Sequence, residues 1–158
     1  MNDKHNSPDE SSHTKREYIA FGVDGDEYCI DIMIVKEIRG WTQATTLPHS
    51  PDFVYGLINL RGTVLPVIDL AARLGLKRTE PSSRHAIILI SLEGRVVGLM
   101  VEAVSDILLV SDNEMHPTPN VMNGDAQSFV KSVLARDGRM IRLLDAERIL
   151  PAKESEAA

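Results

Sequence analysis

Apolar runs of strand length alternate with turn signals through most of the chain. "EYIAFGV" (17–23) interleaves Tyr18, Ala20 and Gly22 with Ile19, Phe21 and Val23, then meets Asp24-Gly25. "HAIILISL" (85–92) runs into Glu93-Gly94 and then "RVVGLMV" (95–101). Aliphatic and β-branched residues dominate, so short strands joined by tight turns are the predicted elements. "DIMIVKEIRG" (31–40) fits two periods. Ile30, Ile34 and Ile38 have helical spacing, whereas Ile30, Ile32 and Ile34 alternate as in a strand. Its β-branched content favours a strand with a bend.

The turns are ordered. Asp24-Gly25, Arg61-Gly62, Glu93-Gly94 and Asp137-Gly138 each pair a charged residue with glycine. Gly94 follows Gly25 by 69 positions, and Gly138 follows Gly62 by 76. The first shift carries Ile19, Phe21, Val35, Glu37 and Ile38 onto Ile88, Ile90, Val104, Asp106 and Ile107. The second carries Phe53, Val54 and Asp69 onto Phe129, Val130 and Asp145. The chain is an internal duplication. Each copy reads as hairpin, strand, loop, hairpin and a short helical piece, "LAARLGL" (70–76) or "AERIL" (146–150), with Asp69 and Asp145 as N-caps. The longer spacing of the second copy falls in "NEMHPTPNVMNGDA" (113–126), which reads as a long loop.

The predicted fold is therefore all-β: two small barrels, one from residues 17–80 and one from 84–150, each followed by a short helix. A barrel of about 65 residues is marginal alone, so the two should pack together, with strand exchange between them allowed. Residues 1–16 hold no apolar residue after Met1 and read as a disordered N-terminal tail; 151–158 read as a C-terminal tail.

Composition narrows the function classes. The chain is 43% apolar and 25% charged, with a formal charge of −6 and no basic stripe, so nucleic acid is not an expected partner. No apolar run approaches the ~18 residues of a membrane span, and the polar start lacks a signal-peptide core, so a cytoplasmic protein without membrane insertion is expected. One cysteine, Cys29, agrees with a reducing compartment.

Catalytic chemistry does not assemble. The five histidines fall in tails and loops without ligand spacing, so no metal and no cofactor is expected. No nucleophile elbow or phosphate-binding glycine loop occurs. The alternative is a small hydrolase using the hairpin-tip carboxylates Asp24, Asp26 and Glu27, and it lacks both a nucleophile motif and a partner histidine.

"INLRGTV" (58–64) is the candidate contact element. Gly62 at the turn is expected to take positive φ in a type I turn with a G1 bulge. Asn59 and Arg61 then share a face opposite Ile58 and Leu60. Asn59 has two readings, a local Asx-type turn or a partner contact. Arg61 likewise is a solvated hairpin charge or a planar fork for a partner's carboxylate or carbonyl. It aligns with Asp137 in the second copy, so the two halves are not expected to bind alike. Val35, Glu37 and Arg39 share one strand face, with Trp41 beyond them as core or staple. Pro66 is expected at an edge or bulge, leaving an edge near Arg61 for an added strand.

The runs "YCIDIMIVKEIRGW", "LPHSPDFVYGLINLRGTVLPVIDLAARLGL" and "RVVGLMVEAVSDIL" closely resemble the CheW-type chemotaxis coupling proteins, over roughly residues 17–150. The resemblance implies two SH3-like five-stranded barrels and a non-catalytic adaptor, monomeric in isolation. It implies two partners: the cytoplasmic tips of methyl-accepting chemotaxis receptors and the regulatory domain of the histidine kinase CheA, in arrays at the inner face of the membrane. By the same resemblance Val35, Glu37, Arg61, Ile87 and Ile107 face the receptor, and Gly56, Asn59 and Gly62 lie toward the kinase. Ala86 and Ile87 stand where the family tends to carry paired valines.

Overall fold

The structure is a computed structural model, and it describes residues 14–118 and 128–150. The first copy forms β1 (Lys15–Val23), β2 (Asp26–Asp31), β3 (Val35–Gly40), β4 (Val54–Leu60), β5 (Thr63–Asp69) and helix α1 (Leu70–Arg73). The second forms β6 (Ala86–Leu92), β7 (Arg95–Val101), β8 (Ala103–Ser111), β9 (Met115–Pro117), β10 (Val130–Arg136), β11 (Arg139–Leu144) and helix α2 (Ala146–Ile149). β1 begins inside the stretch expected to be a tail. Residues 1–13 and 151–158 and the loop's 119–127 lie outside the described residues. The earlier part of that loop is ordered: a 3-10 turn (Asp112–Glu114) leads into β9, which pairs with β10. The Ser111/Glu114 capping box that starts this turn is a signal carried by the sequence.

All four hairpins turn through two residues with positive φ: Asp24 and Gly25, Arg61 and Gly62, Glu93 and Gly94, Asp137 and Gly138. That is the requirement of a type I′ turn, which matches the right-handed strand twist. The expected G1 bulge at Gly62 is thus replaced by a two-residue loop between the paired Leu60 and Thr63. The bend in "DIMIVKEIRG" is a 3-10 turn (Ile32–Ile34), capped by Asp31, whose Oδ1 accepts from the Met33 N–H at 2.9 Å.

Each sheet draws on both copies. One runs β8-β1-β2-β11-β10-β9, the other β3-β6-β7-β5-β4. Because β8 continues through a single turn into β9, the first sheet is a five-stranded barrel closed by one bent strand. The second closes where Thr45, beyond β3, exchanges two backbone hydrogen bonds of 2.8 Å with Leu57 of β4. Two parallel joints knit the copies together, β2 to β11 and β5 to β7. These are two SH3-like barrels, and each hairpin that opens a copy completes the barrel built by the other.

Among the described residues three apolar cores result, and they explain the doubly apolar hairpins. Tyr18, Ala20 and Cys29 fill the first barrel, while their neighbours Ile19, Phe21 and Ile30 face a central seam. Ile87, Leu89 and Met100 fill the second barrel, while Ile88, Ile90 and Leu99 face the same seam. Each such side chain is worth about 1.5–3 kcal/mol when fully buried, so the seam fixes the barrels to each other. At one end Arg73 lies over the rings of Phe53 and Phe129, 4.4 and 5.1 Å from their centroids, and donates to the Ile149 and Arg148 carbonyls at 2.7 and 3.0 Å.

Asp69 and Asp145 cap the two helices as predicted. Asp69 is buried and also accepts from the backbone N–H and hydroxyl of Thr79 at 2.8 and 2.7 Å. Pro66 is not on an edge strand, since β5 runs between β4 and β7. It sits one residue before the parallel ladder begins at Val67↔Gly98, where its missing N–H breaks no bond.

Candidate functional site

The β4–β5 hairpin brings its tip to β3. Arg61, in left-handed backbone conformation at φ 52°, donates from Nη2 to Glu37 Oε1 at 2.8 Å. The other oxygen, Oε2, accepts from Nη1 of Arg39 at 3.0 Å. One carboxylate thus holds two guanidinium groups, one from its own strand and one from a hairpin tip. Arg61 and then Arg39 keep the Glu37 carboxyl below the usual glutamate range, and Glu37 pushes the Arg61 guanidinium further up. The Arg61 side chain remains 70% exposed.

Local structure holds this arrangement from below. Asn59 Oδ1 accepts from the Gly62 backbone N–H at 3.0 Å, which ties the turn that carries Arg61. Its local-turn reading is therefore satisfied, although the residue stays exposed. Gly56 is buried, and a Cβ there would stand 2.6 Å from the Thr45 carbonyl oxygen, so the barrel closure at Thr45 requires glycine. Trp41 packs on the barrel interior and donates from Nε1 to Tyr55 Oη at 2.9 Å, acting as a staple.

The other expected receptor-facing residues scatter. Val35 is half-buried against the seam. Ile107 is 57% exposed on β8, in the other sheet, opposite Ile19. Ile87, which the resemblance turns toward the receptor, is instead fully buried inside the second barrel, opposite Arg39 across β3–β6, and its side chain presents no surface to a partner. In a strand buried on both faces, alternation does not tell which face is outward.

The second copy lacks the ion-pair cluster. Glu37, Arg39, Asn59 and Arg61 correspond to Asp106, Leu108, Ala135 and Asp137. Two acids cannot pair, and Asp106 instead lies 3.6 Å from Arg139, which grips Glu27 through Nε and Nη2 at 3.1 and 2.7 Å. That grip also engages one of the hairpin-tip carboxylates of the hydrolase alternative. Burial pushes the Cys29 thiol up to about 12, so it stays protonated and unreactive. Among the described residues no cluster could hold a metal ion, and no helix is long and apolar enough to cross a membrane.

Comparison with known proteins places this geometry. The family model of the CheW-like domain matches residues 17–154. The chain is 54% identical over 143 residues to the chemotaxis protein CheW of Rhizobium meliloti (strain 1021), covering 90% of this chain and 92% of that protein. It is 32% identical to the chemotaxis protein CheW of Bacillus subtilis (strain 168), covering 92% and 93%. The crystal structure of the scaffolding protein TtCheW from Thermoanaerobacter tengcongensis superposes with a TM-score of 0.77 at 32% identity, covering 84% of this chain and 90% of that one. With the family model matched over most of its length, relatives of 54% and 32% identity and the two-barrel fold in common, this chain belongs to the CheW family of non-catalytic chemotaxis scaffolding proteins.

Proposed function

We propose that the protein couples methyl-accepting chemotaxis receptors to the histidine kinase CheA, working in the cytoplasm as a monomeric adaptor at the inner face of the membrane. The receptor tip, a helical hairpin, docks along β3 and the β4–β5 hairpin, where Glu37 and Arg61 fix its register and Val35 and Ile107 supply apolar margins. Ile87 acts indirectly, packed in the barrel core on β6, the strand paired with β3 beside Arg39. The kinase regulatory domain meets the same hairpin from the side of Gly56, Asn59 and Gly62, the glycines setting its shape rather than contributing side chains.

The observation that carries this reading is the Glu37–Arg61 pair, with Arg61 mostly exposed and held by its partner. An ion pair of this kind contributes little to folding, and its exposed guanidinium suits recognition. The absence of the cluster at the equivalent positions of the second copy supports assigning the register-fixing contact to one barrel, with Ile107 of the other barrel at its margin. Modest contacts suffice, because an array multiplies weak interfaces through effective concentration.

The test is to titrate the purified protein with a receptor tip fragment and, separately, with the C-terminal regulatory domain of the kinase, by calorimetry. Binding to both is expected. Binding to neither overturns the proposal.

A further inference from the structure

Arg39 is the one member of the ion-pair cluster for which no role has yet been given. Its Nη1 donates to Glu37 Oε2 at 3.0 Å, while its Nε is buried without a hydrogen-bond partner. Burying a guanidinium N–H unpaired is unfavourable, so the polar contact favouring this placement is the one to Glu37. Arg39 and Glu37 lie two residues apart on one face of β3, opposite the fully buried Ile87 and Leu89. Their cross-strand neighbours on β6 are thus packed into the core of the second barrel.

The contacts form a sequence. Arg39 occupies Oε2, Oε1 is left for Arg61, and Arg61 has no other hydrogen-bond partner among the described residues. A glutamate held at one oxygen only can swing about its own side-chain bonds; held at both, it cannot. We infer that Arg39 is the positioning residue of this site, fixing Glu37 so that the exposed guanidinium of Arg61 is presented in one orientation. This rests on the receptor-binding reading for its consequence, but not for its geometry. The second copy agrees: Leu108 stands at the position of Arg39, and no such pair forms there.

Two readouts test it. The Glu37 carboxyl is titrated by NMR in wild type, Arg39→Gln and Arg39→Lys, and binding of the receptor tip fragment is measured for the same three proteins. Arg39→Gln is expected to raise the Glu37 titration midpoint and to weaken binding roughly two- to fivefold, the range of an exposed ion pair. Arg39→Lys, which keeps the charge, is expected to restore most of both. An unchanged Glu37 midpoint in a folded Arg39→Gln protein overturns the inference. So does loss of binding that Arg39→Lys fails to recover while the midpoint stays at its wild-type value. If the wild type itself does not bind the fragment, the receptor reading falls, and the titration alone still decides whether Arg39 positions Glu37.

Discussion

Arg61 and Glu37 stand 24 residues apart in sequence and 2.8 Å apart in space, joining a hairpin tip to the middle of a strand. Glu37 lies on β3 and Arg61 at the tip of the hairpin that begins with β4, the two terminal strands of one sheet, which the Thr45 bridge brings together as the barrel closes. The pair is therefore a product of closure.

Arg61→Ala should weaken binding of a receptor tip fragment while shifting the thermal midpoint by less than about 2 °C, as for an exposed charge. Asp137→Ala, at the same turn position of the other copy, should leave receptor binding unchanged. Calorimetric titration together with differential scanning calorimetry checks both. Unfolding of Arg61→Ala would make the residue structural.

The pair also sets a pH range. Glu37 has a depressed folded value, so its contribution is full above the ordinary glutamate value of about 4.3 and is lost as pH falls through the lower folded one. Glu114, held low first by Arg136 and then by the Ser111 backbone, behaves alike. Receptor binding and stability attributable to these pairs should be flat between about pH 6 and 8 and decline only below about 4.3. A transition near neutrality, measured by binding across pH, would contradict this.

Gly56→Ala should destabilise the protein by about 1–3 kcal/mol, because its Cβ would meet a backbone oxygen that cannot yield without opening the barrel. Urea denaturation measures it. A loss of kinase-domain binding in this variant should accompany the fall in stability, since the glycine offers no side chain.

Asp69→Ala should cost about 1–3 kcal/mol, for it removes a buried acceptor serving both Thr79 and α1. Asp145→Ala should cost less, about 0.5–1 kcal/mol, since it removes one cap bond, to the Glu147 N–H at 3.1 Å, and a long, largely exposed ion pair with Arg148 at 3.8 Å. Equal losses in urea denaturation would remove the distinction.

Much of this was legible in the residues. Glycine spacing revealed the duplication, and Asp69 and Asp145 announced the helices. Asn59 was readable as a turn cap because its side chain answers a backbone N–H three residues on. Strand partners were not legible: "EYIAFGV" and "HAIILISL" are apolar on both faces, and nothing local says which sheet each joins. The parallel joints at Tyr28↔Arg142 and Val67↔Gly98 decide that, between residues far apart in sequence. Ile87 was carried over by the resemblance, and periodicity offered no check on which way it faces. Its neighbour Ile88 faces the seam and Ile87 the barrel, and only the assembled sheets distinguish them. The cluster around Glu37 was half visible: the opposite charges were evident, but the meeting of β3 with the Arg61 hairpin depends on closure at Thr45.

The exchange of opening hairpins has a consequence for the chain as it is made. β1 and β2 emerge from the ribosome with both faces apolar, and their barrel is finished only by β8 to β11, from the far half of the chain. Such distant pairings close slowly and leave sticky surface uncovered meanwhile. The nascent N-terminal hairpin should therefore be a client for a holding chaperone until synthesis is nearly complete, and truncation before β11 should yield an insoluble product rather than one working barrel.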